Sequence, residues 1–270
     1  MKKKIILIIV VVLVILIVIS LARVIMTNTQ VITDGSLNWL TEKKIAHRGI
    51  HNNVTIPENS LSGFKESINQ GVSIELDVQL SKDKKVMVYH DYNLKRITGL
   101  DEDLVNLNYN ELEDLRLFNT EEKIPMLKEV LELVNGKVPI LIEVKNEGTV
   151  GELESILYEE LKGYNGEYAI QAFNPFVLEW FKNNAGEIPR GQLSGGYQGS
   201  NLKFYEKFLL SNLLLNFKSK PAFISYKVDE LPKGIVTSLR KSGTPILGWT
   251  VTNDNNLDKI YENCDNIIFE

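Results

Sequence analysis

Between residues 44 and 270 the chain alternates eight short apolar segments with stretches patterned for helices. The segments read KIAHRG, SIELDV, ILIEVK, YAIQAF, RGQLS, AFISYK, ILGWTV and NIIFE. A strand separated from the next by a helix must pair with it in parallel, and eight such units close into a barrel ringed by helices. The alternation therefore predicts an α/β fold, a (β/α)8 TIM barrel over residues 41–270, with any site at the C-terminal rim of its strands.

The intervening pattern is specific. Leu61, Phe64 and Ile68 share one helical face that Gly71 is placed to end. Met126 to Val134 reads as a helix, and Val150, Leu153, Leu157 and Leu161 define another, ended by Gly163. Asn174 is set to cap a helix with Pro175 at its first position and Trp180 and Phe181 in its core face. Further helices are expected around Ile235 and Leu239 and around Leu257 and Ile260, and LLSNLLLNF, within residues 195–220, reads as a helix of the outer ring, the alternative being a membrane-facing role. Residues 92–125 form an irregular excursion, longer than an ordinary connection, with Asn110 expected to cap a short helix from Glu111 to Leu115.

The chemistry gathers in residues 44–91, which hold all three histidines, His47, His51 and His90. The second segment places Glu75 and Asp77 on one face and Ile74, Leu76 and Val78 on the other. Two buried carboxylates side by side demand a cation or protons; the same alternation also suits a strand with one solvent face. Polar residues 81–85 then turn the chain back as VMVYHD, so a hairpin returns His90 toward the level of Glu75. In ILIEVK, Leu141, Glu143 and Lys145 share one face; if the apolar face meets helices, Glu143 and Lys145 look into the barrel mouth, the alternative being an exposed ion pair.

His47-Arg48-Gly49, Pro57-Glu58-Asn59-Ser60, Glu75-Leu76-Asp77 and Val88-Tyr89-His90-Asp91 occur in that order, followed by Glu143-Val144-Lys145, Gln171 to Pro175 and Gly248 to Val251. This series resembles the glycerophosphodiester phosphodiesterase family over residues 44–269. The resemblance implies hydrolysis of a small-molecule glycerophosphodiester to glycerol 3-phosphate and an alcohol, with a glycerol hydroxyl able to attack first and give a cyclic phosphate. Glu75, Asp77 and Glu143 offer only oxygen donors, which suits one divalent cation, Ca²⁺ or Mg²⁺. Arg48 and Lys145 can neutralise a phosphate, and His47 and His90 can serve as acid and base. Trp249 is a candidate wall for the glycerol or a core residue, Glu58 and Asn59 are candidates to orient the site or to cap the helix, and His51 is left outside the site. The chain departs from the family at its last strand, where the usual aspartate-proline is absent and Glu270 stands. A lysophospholipase D acting on lipid-like diesters, and a tethered binding protein without catalysis, are the two alternatives.

Ahead of the barrel, Lys2, Lys3 and Lys4 precede an uninterrupted apolar run from Ile5 to Ala22. Eighteen such residues suffice to cross a hydrocarbon core of about 30 Å. Lysines before the run place the remainder outside the cytoplasm. The expectation is a single-pass anchor at residues 1–23 and a spacer at 24–40, with a cleaved signal peptide as the competing reading. Beyond the first 23 residues the chain carries 26 basic against 35 acidic residues, which disfavours a nucleic-acid partner. Cys264 is the only cysteine, so no disulfide forms within the chain.

Overall fold

The computed structural model describes residues 2–30, 32, 35–146 and 148–270. Residues 31, 33 and 34 of the expected spacer lie outside the described residues, as do Met1 and the side chains of Lys2, Lys3 and Leu7. Nine strands form one sheet: β1 (Ile45–Ala46), β2 (Ser73–Leu80), β3 (Val86–Val88), β4 (Ile140–Val144), β5 (Tyr168–Ala172), β6 (Arg190–Ser194), β7 (Phe223–Lys227), β8 (Ile246–Val251) and β9 (Asn266–Phe269). All but β3 are parallel, and β1 pairs with both β2 and β9, so eight strands close the expected barrel. The last strand needs no aspartate-proline to seat itself: β9 is held by β8 on one side and β1 on the other. Strand β3 runs antiparallel to β2 with Val88 opposite Val78, which carries His90 back to the level of the Glu75–Asp77 pair.

The period-two alternation of each strand sorts its side chains into two cores. Ile74, Leu76 and Val78 of β2 and Ile140, Ile142 and Val144 of β4 pack outward against Phe64, Leu127, Val130 and Val134 of the helix layer. The other face turns inward. Ile45, Leu141, Ala169, Phe223, Leu247 and Ile268 fill the lower interior, where the strands begin. Two residues further along their strands, Glu143, Gln171 and Ser225 follow Leu141, Ala169 and Phe223, so the interior changes from apolar floor to polar mouth within one pleat. Gly191 sits opposite Phe223, and a Cβ there would overlap the phenyl ring.

Local signals set several helix ends. The Ser60 hydroxyl accepts from the Gly63 amide at 3.1 Å to open the helix Leu61–Gln70, and Gly71, at φ 68°, closes it. Asn174 accepts from the Phe176 amide at 3.0 Å ahead of the helix Pro175–Asn184. The excursion differs in detail from expectation. Its short helix is Tyr109–Leu112, entered at Asn108 rather than Asn110, because Glu111 reaches back to the Asn108 amide at 2.9 Å. Leu94, Ile97, Leu104, Leu112 and Leu117 join Met87 and Tyr89 in a small buried cluster of their own.

LLSNLLLNF does not form one helix of the outer ring. A helix Phe204–Ser211 without a buried residue gives way to a single turn, Asn216–Ser219, with Leu213 buried between them at φ 56°. The Asn212 side chain donates to the Phe208 carbonyl at 2.8 Å, ending the first helix there. Phe204 is left 86% exposed. Ahead of the barrel, the helix Lys2–Met26 is long and apolar enough to cross a membrane by length and composition. Leu37, Trp39 and Leu40, within the expected spacer, pack into the lower interior of the barrel.

Because the Phe223 ring fills the space beside Gly191, Gly191→Ala should lower unfolding free energy by about 1–3 kcal/mol through overpacking. A reduced midpoint in urea denaturation with an unchanged slope is the expected result.

Candidate active site

The mouth is built from the ends of β1, β2 and β4 and from the turn after β3. His47 extends β1 by one residue, its amide donating to the Phe269 carbonyl at 2.8 Å. The backbone then turns sharply, with Arg48 at φ 57° and Gly49 at φ 76°. A Cβ at Gly49 would stand 2.9 Å from the Phe64 ring and 3.1 Å from the Gly63 backbone, so a glycine is required by both space and dihedral. This turn points the Arg48 amide at Glu75 Oε2, 3.1 Å away, and its guanidinium at Glu58 Oε1, 2.7 Å away.

Glu75, Asp77 and Glu143 converge as their strand faces dictate, since the ladder sets Asp77 directly opposite Glu143. All three are buried, and each offers a carboxylate oxygen within 4.8 Å of the other two. Lys145 donates to Glu143 Oε1 at 2.8 Å and lies 3.3 Å from Asp77 Oδ1. Asp77 Oδ2 accepts from Asn59 Nδ2 at 2.8 Å and has Arg48 Nε at 3.6 Å. Asp77 Oδ1 is buried without a hydrogen bond, its cationic neighbour being the Lys145 ammonium at 3.3 Å, so a cation bound among the carboxylates would give it a further partner. Burial, then the charges of Asp77 and Glu143, push Glu75 well above the usual carboxylate range. Burial also disfavours ionised Asp77, but Lys145, His90, Arg48 and His47 outweigh it and hold Asp77 well below that range. An oxygen-only set with a surplus of negative charge fits a hard divalent cation.

The imidazoles stand in different settings. His47 is largely buried; desolvation, and to a smaller degree Arg48, lower its pKa from 6.5 against the opposing pull of Glu270 and Asp77. Its Nδ1 is 3.9 Å from Glu270 Oε2, beyond hydrogen-bond reach, while His51 Nε2 is 3.3 Å from Glu270 Oε1. His90 is partly exposed, and its Nδ1 lies 2.6 Å from Asp91 Oδ1. Gln79 fixes the turn that carries His90 by donating to the carbonyls of Tyr89, His90 and Asp91 at 2.8, 3.2 and 2.8 Å. Trp249 lies edge-on to Phe173 at 5.5 Å, and Phe173 in turn meets Tyr197 at 6.0 Å.

The glycerophosphoryl diester phosphodiesterase family model matches residues 47–266, a span that contains every one of these groups except Glu270. The chain belongs to this family. A glycerophosphodiester phosphodiesterase of Caldanaerobacter subterraneus subsp. tengcongensis is 31% identical over 228 residues, covering 80% of this chain and 88% of its relative. A human lysophospholipase D is 34% identical over 164 residues, 54% of this chain and 50% of that one. Among solved structures, the Thermotoga maritima glycerophosphodiester phosphodiesterase superposes with a TM-score of 0.64 at 28% identity, covering 83% of this chain and 92% of that one. An Oleispira antarctica phosphodiesterase, solved with its product sn-glycerol 3-phosphate, shares the fold with a TM-score of 0.71 at 24% identity over 85% of this chain and 93% of that one. Family membership makes this chain a phosphoric diester hydrolase.

Several groups around this family's site are given no role by a reading of local sequence. Gln171, at the centre of YAIQAF, donates to Glu75 Oε1 at 3.3 Å and accepts from Ser225 Oγ at 2.7 Å; a glutamine in an otherwise apolar strand is the signal that marks it. Arg96 carries none, yet it clamps Glu58 with contacts of 2.7 and 3.0 Å and Asp91 with contacts of 2.6 and 3.1 Å. Glu58, 2% exposed, thus bridges Arg48 and Arg96, and Asn53 also donates to it at 2.9 Å. Burial raises the pKa of both Glu58 and Asp91, but the Arg96 hydrogen bonds, with Arg48 on the first and His90 on the second, leave both below their ordinary values.

Carboxylates with depressed folded-state pKa values stabilise above their unfolded values, and that contribution fades as pH falls through the folded ones. Arg96→Met should therefore cost about 1–3 kcal/mol near neutrality by removing the charge-assisted hydrogen bonds of Arg96 to buried Glu58 and to Asp91, while Glu58 keeps Arg48 and Asn53. It should also flatten the fall in melting temperature as pH drops below the ordinary carboxylate values of 4.5 and 3.8. Thermal denaturation of both proteins across that range measures the two effects together.

Proposed function

We propose that this enzyme hydrolyses glycerophosphodiesters to sn-glycerol 3-phosphate and an alcohol, using His47 and His90 as its proton-transfer pair. The observation that carries this reading is the convergence of two imidazoles, two cations and three carboxylates on one barrel mouth. A diester anion resists nucleophilic attack until its nonbridging oxygens are neutralised. Arg48 and Lys145 supply fixed positive charge for that purpose. Glu75, Asp77 and Glu143 would hold one divalent cation, Ca²⁺ or Mg²⁺, which when bound adds further neutralisation of the phosphate.

His47 is assigned as the base, because burial keeps its imidazole neutral at physiological pH and free to accept a proton from the attacking hydroxyl. His90 is assigned as the acid. Asp91 holds its Nδ1 at 2.6 Å, which leaves the other ring nitrogen, Nε2, to give its proton to the departing alkoxide. The new P–O bond comes from the attacking oxygen, and the bond to the alcohol breaks. Should the glycerol hydroxyl attack first, the same pair opens the resulting cyclic phosphate with water in reversed roles. Glu58 and Asn59 act through others, Glu58 by holding Arg48 and Asn59 by holding Asp77. Trp249, with Phe173, provides an apolar wall for the glycerol carbons. Residues 41–270 are the catalytic domain, with residues 92–125 as a short insertion. The first helix anchors it as a single span in the cell membrane, lysine end in the cytoplasm and barrel outside. The acidic excess of the barrel chain gives nucleic acid no role.

Assay of the purified chain with Ca²⁺ or Mg²⁺ on glycerophosphocholine should release glycerol 3-phosphate, and EDTA should abolish the release. His47→Ala and His90→Ala should each lose about 10²–10⁴-fold in kcat. A glycerophosphodiester with a p-nitrophenol leaving group, which departs without protonation, should restore His90→Ala but not His47→Ala. Rescue of the other variant instead would exchange the two roles. In the wild type, the acid limb of kcat/KM should fall below pH 6.5, since protonation of a base whose pKa is lowered from that value removes activity only at lower pH.

A further inference from the structure

The apolar character of the first helix is not explained by packing on the barrel, since its described side chains between Ile5 and Ile25 are all exposed. Its exit, however, is tied down. Thr27 is buried, the Gln30 amide donates to the Pro221 carbonyl at 2.9 Å, and Gln30 Oε1 accepts from Arg190 Nη2 at 3.0 Å. The hydroxyls of Thr29 and Thr244 meet at 2.8 Å. Ile32, Leu37, Trp39 and Leu40 then pack against the apolar floor, and Asn266 donates to the carbonyls of Leu40 and Lys43 at 2.7 and 2.6 Å. All of the partners lie at one end of the barrel. Arg190 opens β6, Pro221 precedes β7, Thr244 precedes β8 and Asn266 opens β9. The carboxylates and imidazoles lie at the other end.

We propose that Thr27, Thr29, Gln30, Ile32, Leu37, Trp39 and Leu40 fasten the membrane helix to the closed floor of the barrel, so that the mouth faces away from the bilayer and the enzyme takes water-soluble glycerophosphodiesters rather than diesters embedded in the membrane by an acyl chain. The inference rests on the phosphodiesterase reading above and on the helix being a span; it adds the direction of the mouth and the class of substrate that direction admits. Strands rise roughly 3.3 Å per residue, so Glu143 stands about 10 Å along β4 from its start, with Ile32, Leu37, Trp39 and Leu40 packed at the floor end. The phosphate of a lysophospholipid lies in the headgroup layer on the floor side. To reach Glu143 and His47 it must leave the bilayer with its whole acyl chain. A free glycerophosphodiester meets the mouth directly from solution.

The test uses the full chain in phosphatidylglycerol and phosphatidylethanolamine vesicles that contain a lipid with a nitroxide on its headgroup. Single cysteines at Lys241→Cys, beside Thr244 on the floor side, and at Val54→Cys, a 73% exposed residue of the mouth loop, carry a bimane label. Native Cys264 is buried, which pushes its thiol up to about 11 and keeps it from labelling at neutral pH. Quenching at position 241 should exceed that at position 54 by at least threefold. A third label at Tyr205→Cys tests whether the barrel instead lies on the exposed aromatic flank around Phe204. Equal quenching at positions 241 and 54, strongest quenching at 205, or none at any position overturns the inference. In the same vesicles glycerophosphocholine should be hydrolysed at least tenfold faster than bilayer-resident lysophosphatidylcholine, and equal rates overturn the inference as well. Failure on both substrates strikes the phosphodiesterase reading instead, while the quenching pattern still decides the direction of the mouth.

Discussion

Repulsion among three buried carboxylates is the constraint around which this molecule is arranged. Glu75, Asp77 and Glu143 bring oxygens within 4.8 Å of one another at the barrel mouth, where little water remains to screen them. Unopposed, such a cluster would be neutralised by protons or would open the strands that carry it. The structure opposes it with Arg48 and Lys145, with the Asn59 amide on Asp77, and with a relay from Ser225 through Gln171 to Glu75. These partners come from the segment after β1 and from β4, β5 and β7. The site is consequently spread around the barrel rather than confined to the motif-rich first third of the chain.

That same need for opposing charge reaches outward. Arg48 is steered by Glu58, Glu58 is shared with Arg96, and Arg96 also grips Asp91, which holds His90. A single chain of charge-assisted contacts thus runs from the carboxylate cluster to the second imidazole, and it crosses into the excursion that follows β3. The excursion is therefore part of the site's support, which accounts for its having a small core of its own.

The barrel separates these demands along its axis. Leu141, Ala169, Phe223 and Leu247 make the floor dry and well packed, and Leu37, Trp39 and Leu40 seal it from below. One pleat higher, β4, β5 and β7 present glutamate, glutamine and serine. Stability and chemistry are thereby assigned to opposite ends of one interior. The residues before β1 can attach at the floor without touching the mouth.

The sequence by itself determined the barrel, because strand-helix alternation leaves a parallel sheet no other economical closure. It also determined the facing of Glu75, Asp77, Glu143 and Lys145, since a period of two fixes which side chains share a side. His47 and His90 were legible for a related reason: a strand tip and a hairpin return have only one place to go once the barrel closes. Other features depended on residues far apart in the chain and left no local pattern. Arg96 meets Glu58 across 38 positions, Glu270 comes beside His47 only because β9 pairs with β1, and Gln30 finds Arg190 only at the barrel floor. The break at Leu213 likewise runs against an apolar pattern that suits a continuous helix, because the backbone there is set by packing between neighbouring elements. Periodicity records which way a side chain points from its own backbone; which distant group it meets is decided by the closing of the sheet.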